Sequence, residues 1–154
     1  DKTVAMMKSP NIRAAGVISV MSNILPGPVQ HLTELLNEGD VEEADRLAAA
    51  MAPLFACVGV TTQEETPYGS VECKARNPLA VKSLMNVLGM PSGPTRRPLG
   101  KMTRQGIDVA LNAARQTHIN DPTLLAPIGA FFGVDIDARL ADDGLLDELV
   151  YEAY

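Results

Sequence analysis

The apolar run between Gly16 and Val20 constrains the fold of this chain more than any other feature. Its residues are mostly β-branched, a glycine precedes them, and the polar pair Ser22 and Asn23 leads into a proline-rich loop. This pattern predicts a buried strand. A strand that is apolar on both faces needs partners on both edges, as in a parallel α/β sheet. The sequence predicts no second strand, so we expect the partner strands of a larger barrel to lie upstream of Asp1.

The remainder of the chain is predicted to be helical. Cap residues, apolar periodicity and terminating glycines or prolines indicate helices over residues 2–8, 28–38, 41–55, 79–88, 104–116, 122–132 and 143–151. Asp1, Asp40 and Thr103 are the predicted N-caps, and Pro53 is expected to kink or break its helix. The polar, turn-rich stretch 59–76 is predicted to be a long surface loop.

Several short motifs, taken in order, resemble the C-terminal half of dihydrodipicolinate synthases. They are Gly16-Val17-Ile18-Ser19-Val20, Asn23, Pro53-Leu54-Phe55, Asn77-Pro78-Leu79-Ala80-Val81-Lys82, Leu88-Gly89 and Arg97-Pro98-Leu99. The resemblance covers roughly residues 1–115. It implies an α/β fold, in which this chain supplies the last strand and helix of a TIM (β/α)8 barrel and a C-terminal α-helical domain. The chain itself would then be mostly helical. The stretch 59–76 looks like an insertion, because the family pattern makes this connection in fewer residues.

The resemblance also implies a reaction. Members of that family are pyruvate-dependent class I aldolases, in which a neutral lysine attacks the keto carbon of pyruvate and forms a Schiff base. The implied reaction condenses pyruvate with aspartate semialdehyde, at the start of lysine and diaminopimelate synthesis, with no metal or organic cofactor. The family's catalytic lysine lies on an earlier barrel strand. The lysines of this chain are therefore interpreted as surface residues: Lys2, Lys8, Lys74, Lys82 and Lys101.

Ile18 is the one substrate-binding residue that the resemblance assigns to this chain. Its main-chain carbonyl oxygen would help to hold the pyruvate-derived group, while its side chain packs as barrel core. Gly16 and Ser19 are either lining residues or small residues that permit close packing. Asn23 is a weaker candidate, at the edge of the strand where barrel active sites open.

Composition excludes other classes of function. The net charge of −6 argues against a nucleic-acid partner. The sequence has neither a membrane span nor a signal peptide, so we expect a cytoplasmic protein. Cys57 and Cys73 are expected to be reduced thiols. His31 and His118 are isolated and predict no metal site, while Arg96 and Arg97 are expected to form a structural salt bridge.

An excess of acidic residues divides the chain. From residue 117 onward, eight acidic residues stand against Arg139 alone; they include the pairs Asp142-Asp143 and Asp147-Glu148, which are read as solvated helix ends. We therefore expect three parts: 1–39 as the last part of the barrel, 40–116 as the helical domain, and 117–154 as an acidic helical extension.

Two alternatives remain open at this point. The chain could belong to an N-acetylneuraminate lyase or another pyruvate aldolase, because the residues that select the aldehyde lie upstream. It could instead be a non-catalytic helical interaction module. The aldolase reading implies as partners pyruvate, a small aldehyde, the missing N-terminal half of the barrel, and further copies in a homotetramer or homodimer.

Overall fold

The computed structural model describes residues 2–152 as a mostly helical α/β structure with one small sheet. The α-helices are α1 (Thr3–Lys8), α2 (Pro26–Glu38), α3 (Val41–Ala56), α4 (Leu79–Val87), α5 (Arg104–Asn120), α6 (Ala126–Phe132) and α7 (Ile136–Ala141). The strands are β1 (Val60–Thr66) and β2 (Gly69–Ala75). Short 3-10 helices span Val20–Asn23, Pro122–Leu124 and Asp143–Leu146. The predicted cap at Asp1 lies outside the described residues.

Helix α5 is the element around which the core is built. It packs against α3, α4 and β1, and its buried side places Ile107, Ala110, Leu111 and Ala114 in the main core. The spacing of these residues by three or four positions gives one continuous apolar face. The same core takes in residues from both ends of the chain, from Met21 to Val150.

Two of the predicted helix starts are confirmed by side-chain caps. The Asp40 carboxylate accepts a hydrogen bond from the Glu43 amide at 3.2 Å, and the Thr103 hydroxyl accepts one from the Gly106 amide at 2.9 Å. Helix α2 ends as expected at Gly39, which adopts a left-handed φ of 85°. The break expected at Pro53 does not occur, because α3 continues through it to Ala56.

The strand predicted between Gly16 and Val20 is wrong for the described chain. Residues 13–19, here called the 13–19 segment, have no regular secondary structure, and a 3-10 helix begins at Val20. A strand is defined by its ladder of backbone hydrogen bonds. No other extended segment among residues 2–152 lies beside this one to complete such a ladder.

The surface loop predicted over residues 59–76 is also wrong, since this stretch is an antiparallel β-hairpin. The turn is made by the two residues between Thr66 and Gly69. Strand β1 alternates strictly between buried and exposed positions, with Val60, Thr62 and Glu64 directed inward. This period of two is the ordinary signature of a half-buried strand, but its inward residues are largely polar and therefore resemble a loop in sequence.

The acidic C-terminal stretch folds into shorter pieces than expected. The helix predicted over residues 122–132 divides into a 3-10 turn and α6. The helix predicted over 143–151 is a 3-10 turn, followed by a turn at residues 147–149 and a single bridge residue, Val150. Val150 forms a parallel bridge with Met102. The Arg139 guanidinium donates to the carbonyl oxygen of Asn86 at 2.8 Å and to that of Val87. These bonds join α7 to the end of α4. The threefold division of the chain stays a prediction.

The cysteines, the acidic residues and the arginine pair each carry a prediction that the structure tests. Both cysteines are free thiols, as expected. The acidic residues behave as cap and surface groups: Asp142 caps the last 3-10 turn, and Asp143 pairs with Arg115 at 3.2 Å. The salt bridge expected at Arg96 and Arg97 is absent from the described part of the chain, where both are exposed in a connector. No helix within residues 2–152 is long and apolar enough to cross a membrane.

The buried hydrogen bonds of the Thr103 hydroxyl give a stability prediction. This hydroxyl caps α5 and donates to the Glu64 carboxylate at 2.7 Å. Thr103→Ala removes the cap and one partner of a buried charge, so we expect it to lower the free energy of unfolding by about 2–3 kcal/mol. Thr103→Ser retains both bonds and should cost less than about 1 kcal/mol. Urea unfolding measures the difference, and equal losses in the two variants would contradict this role.

The two thiols should differ sharply in reactivity. Burial raises the pKa of Cys57 to about 11, whereas Cys73 lies on the hairpin and is only partly buried. Because the thiolate is the reactive form, Cys57 should be modified by a thiol reagent at pH 8 only on unfolding, while Cys73 reacts in the native protein. Peptide mapping after timed labelling measures both. Labelling of Cys57 as fast as Cys73 would contradict the prediction.

Candidate functional site

The 13–19 segment follows a sharp change of chain direction after α1. Arg13 has a positive φ of 52°, which non-glycine residues seldom adopt. Val17 and Val20 pack against the main core from one side of the chain. The side-chain amide of Asn37, on α2, donates to the Ala15 carbonyl oxygen at 3.0 Å. These contacts fix the inner side of the segment.

The outer side of the same segment is open. The Ile18 side chain is fully exposed, at 106% of its reference area, although isoleucine is among the residues most often buried. Within residues 2–152, no hydrogen bond is formed by the backbone groups of Gly16, Val17 or Ile18. Unpaired backbone groups beside apolar side chains are the property of an uncovered strand edge.

An apolar cleft of about 400 Å³ runs along this segment. Gly16 and Ile18 line one wall, while Met6 of α1 and Val58 contribute to the remainder. Met6 is also 45% exposed. The cleft thus places free backbone carbonyl groups beside an apolar surface, so a covering element can both pair with the backbone and bury the side chains.

The other sequence candidates have local structural contacts. The Ser19 hydroxyl accepts a hydrogen bond from the Met21 amide at 3.2 Å and so caps the 3-10 turn. The Ser22 hydroxyl donates to the Ser19 carbonyl oxygen at 2.6 Å. The Asn23 side-chain amide donates to the Val20 carbonyl oxygen at 2.8 Å. Together these bonds hold the turn at which the segment ends.

The lysines of the described chain are engaged or exposed at the surface. Lys82 donates to the Pro94 carbonyl oxygen at 3.0 Å, Lys74 pairs with Glu72 at 2.8 Å, and Lys8 pairs with Asp45. Of these five lysines, Lys2 alone lines the cleft along the 13–19 segment. Besides the exposed Lys2, the cleft offers backbone acceptors and apolar contact.

Each histidine lies beside one carboxylate. His118 lies 2.9 Å from Asp137, and His31 lies 3.8 Å from Glu34. Residues 2–152 contain no group of three histidine, cysteine or acidic side chains placed to bind a metal ion.

Sequence reasoning missed one polar cluster. Glu64 is 8% exposed and accepts hydrogen bonds from the hydroxyls of Thr62 at 2.6 Å and Thr103 at 2.7 Å. With its nitrogen oriented towards the carboxylate, the Gln105 amide donates to both oxygens at 3.2 Å. The sequence carries no clear signal for this cluster, because residues 61–64 are all polar. The Glu64 carboxylate thus has hydrogen-bond partners within the protein. Because Thr103 and Gln105 lie at the start of α5, these bonds hold the hairpin against that helix.

Comparison with known proteins identifies the family. The model of the dihydrodipicolinate synthetase family matches residues 3–116, which include the 13–19 segment and end within α5. The chain belongs to the dihydrodipicolinate synthetase family. The resemblance stated on residues 1–115 is thereby confirmed. The acidic stretch beyond residue 116 lies outside the match.

Curated relatives agree with this assignment. A 4-hydroxy-tetrahydrodipicolinate synthase of Methanococcoides burtonii is 29% identical over 106 residues, covering 69% of this chain and 32% of the relative. The enzymes of that name from Methanococcus maripaludis and Methanoculleus marisnigri are 31% identical over 98 residues and 33% identical over 91. The match to the Methanococcus maripaludis enzyme covers 64% of this chain and 29% of that enzyme. The match to the Methanoculleus marisnigri enzyme covers 59% of this chain and 26% of that enzyme. The match thus spans a third or less of each relative. No solved structure matches this chain.

Proposed function

We propose that this chain is the C-terminal portion of a pyruvate-dependent class I aldolase that condenses pyruvate with aspartate semialdehyde, a 4-hydroxy-tetrahydrodipicolinate synthase. The observation that carries the proposal is the uncovered 13–19 segment, with Ile18 fully exposed and three successive residues without backbone partners among residues 2–152. A parallel barrel strand needs neighbours on both edges. The segment is proposed to be the eighth strand, paired with barrel strands supplied by another part of the protein.

The helix after this segment supports the same assignment. Helix α2 buries Val29, Leu32 and Leu35 on one face. Strand, short turn and helix in succession form one β/α unit of a barrel. Helices α3 to α5 would then form the appended helical domain.

In this proposal the chain binds substrate without performing the covalent step. The Ile18 carbonyl oxygen, which has no partner among the described residues, accepts a hydrogen bond near the Schiff base formed by a lysine on an earlier strand. Attack of that lysine's amine on the keto carbon, with loss of water, gives an iminium; loss of a methyl proton gives the enamine nucleophile. No metal is needed, since the protonated imine itself accepts the electron pair.

Borohydride trapping tests the aldolase proposal. The full-length protein is incubated with pyruvate, reduced and digested, and we expect a carboxyethyl group on one lysine outside residues 1–154. Adding aspartate semialdehyde before reduction should consume both substrates, which distinguishes the proposal from other pyruvate aldolases. An adduct that forms but does not react with aspartate semialdehyde supports the alternative of an N-acetylneuraminate lyase or another pyruvate aldolase. The absence of any adduct overturns the aldolase reading in favour of an interaction module.

Substitution of Ile18 tests whether the segment is covered in the full-length protein. If barrel strands pack over it, Ile18→Asp buries an unpaired carboxylate and should cost about 3 kcal/mol or more of stability. Val41→Asp is the control, because Val41 is 44% exposed at the start of α3, where a negative charge is favourable. Thermal unfolding measures both. An Ile18→Asp protein as stable as the Val41→Asp protein would contradict coverage.

The assembly is part of the proposal as well. Members of the family are commonly homotetramers, and we expect this protein to form a homo-oligomer.

A further inference from the structure

The β-hairpin has an edge with which no described strand pairs. Strand β2 pairs with β1 on one side only, and its first four residues are exposed. Because the turn contains two residues, Thr66 and Gly69 form the closing hydrogen-bonded pair, and such pairs alternate along the ladder. Ser70, Glu72 and Lys74 therefore direct their backbone N–H and C=O groups towards the open edge.

The charged side chains of β2 complement those of a second copy when the two strands pair about Cys73. If β2 meets β2 of a second copy antiparallel, with Cys73 at the twofold axis, Glu72 lies opposite Lys74 of the other copy. Lys74 then lies opposite Glu72 of that copy, so two opposite-charge pairs form. Ser70 lies opposite Arg76, which is also exposed. The residues whose backbone groups point outward fall opposite one another, as an antiparallel ladder requires.

Neighbouring registers are electrostatically worse. Moving the axis by one residue to Glu72 places two carboxylates opposite each other, and moving it to Lys74 places two ammonium groups opposite each other. Like charges in directly opposed positions destabilise a strand pair. Of these three registers, the Cys73-centred one alone places opposite charges across from each other.

Among residues 2–152, no strand pairs with the outer edge of β2. Helix α5 packs mainly beneath β1 rather than β2. Beneath β2 lies an open cleft of about 240 Å³, lined by Thr62, Cys73 and Lys101 among others. The exposed side chains of Val71 (41%) and Tyr68 (98%) add apolar surface to the hairpin.

We propose that β2 is an assembly surface, where two copies of this chain join their hairpins into a four-stranded antiparallel sheet centred on Cys73. This proposal goes beyond the aldolase function and is independent of it. An exposed strand edge can pair with other chains and lead to aggregation. Specific pairing with a second copy covers that edge. Twofold symmetry supplies each interaction twice.

Oxidative trapping tests the register directly. Opposed residues in a non-hydrogen-bonded antiparallel pair have Cα atoms about 4.5 Å apart, within the usual range for a disulfide. Treating the full-length protein with copper phenanthroline should therefore yield a Cys73–Cys73 disulfide between copies, identified by mass spectrometry of the linked peptide. The Cys73→Ser protein is the matched control. The buried Cys57 should stay unlinked in both.

Charge substitutions separate the proposed pairing from chance collision. Lys74→Glu places carboxylates opposite Glu72 in both pairs, and the rate of linkage should fall about tenfold. The double variant Glu72→Lys with Lys74→Glu exchanges the two signs, and the rate should recover to within about twofold of wild type. Equal rates in all three proteins would overturn the proposal. So would failure of wild-type Cys73 to link while it still reacts with a small thiol reagent.

Discussion

The need to pair backbone hydrogen-bonding groups governs the interpretation of this chain. In a folded protein nearly every buried N–H and C=O group finds a partner, because an unpaired buried group costs as much as a lost hydrogen bond. At Gly16, Val17 and Ile18 no such partner occurs among residues 2–152, and the side chain of Ile18 is fully exposed. An apolar, β-branched segment with free backbone groups is suited to burial within a sheet. The proposed barrel supplies that sheet.

The main core is organised around helix α5, and Val17 of the 13–19 segment packs against it. Helix α5 holds α3, α4 and the hairpin around one core, and the caps at Asp40 and Thr103 define where two of its helices begin. The acidic C-terminal stretch joins that core through Ile128, Ile136 and Leu146, and Arg139 fastens it to α4. A packed core that leaves an apolar segment uncovered is the form expected of a domain that docks on a larger body.

Local signals in the sequence predicted much of the helical structure. The caps at Asp40 and Thr103 and the left-handed Gly39 follow from side-chain chemistry and backbone sterics within a few residues. The 13–19 segment could not be predicted in this way, because strand formation depends on partners distant in sequence. The hairpin was missed for the opposite reason: its inward side carries Thr62 and Glu64, whose burial is possible only because Thr103 and Gln105 hydrogen-bond to the carboxylate. Ile18 lines an open cleft, and its role in binding substrate stays a prediction, because the other groups of such a pocket are not local to it in sequence.

Hydrogen exchange over residues 14–20 of the full-length protein tests the central claim most directly. If this segment is the eighth barrel strand, its amides should exchange at least about a thousandfold more slowly than in an unstructured peptide, since they open only with the core. Mass spectrometry of the corresponding peptic peptide measures this. Exchange at the rate of an unstructured peptide, in a protein whose α5 amides remain protected, would contradict the account and show that nothing pairs with the segment.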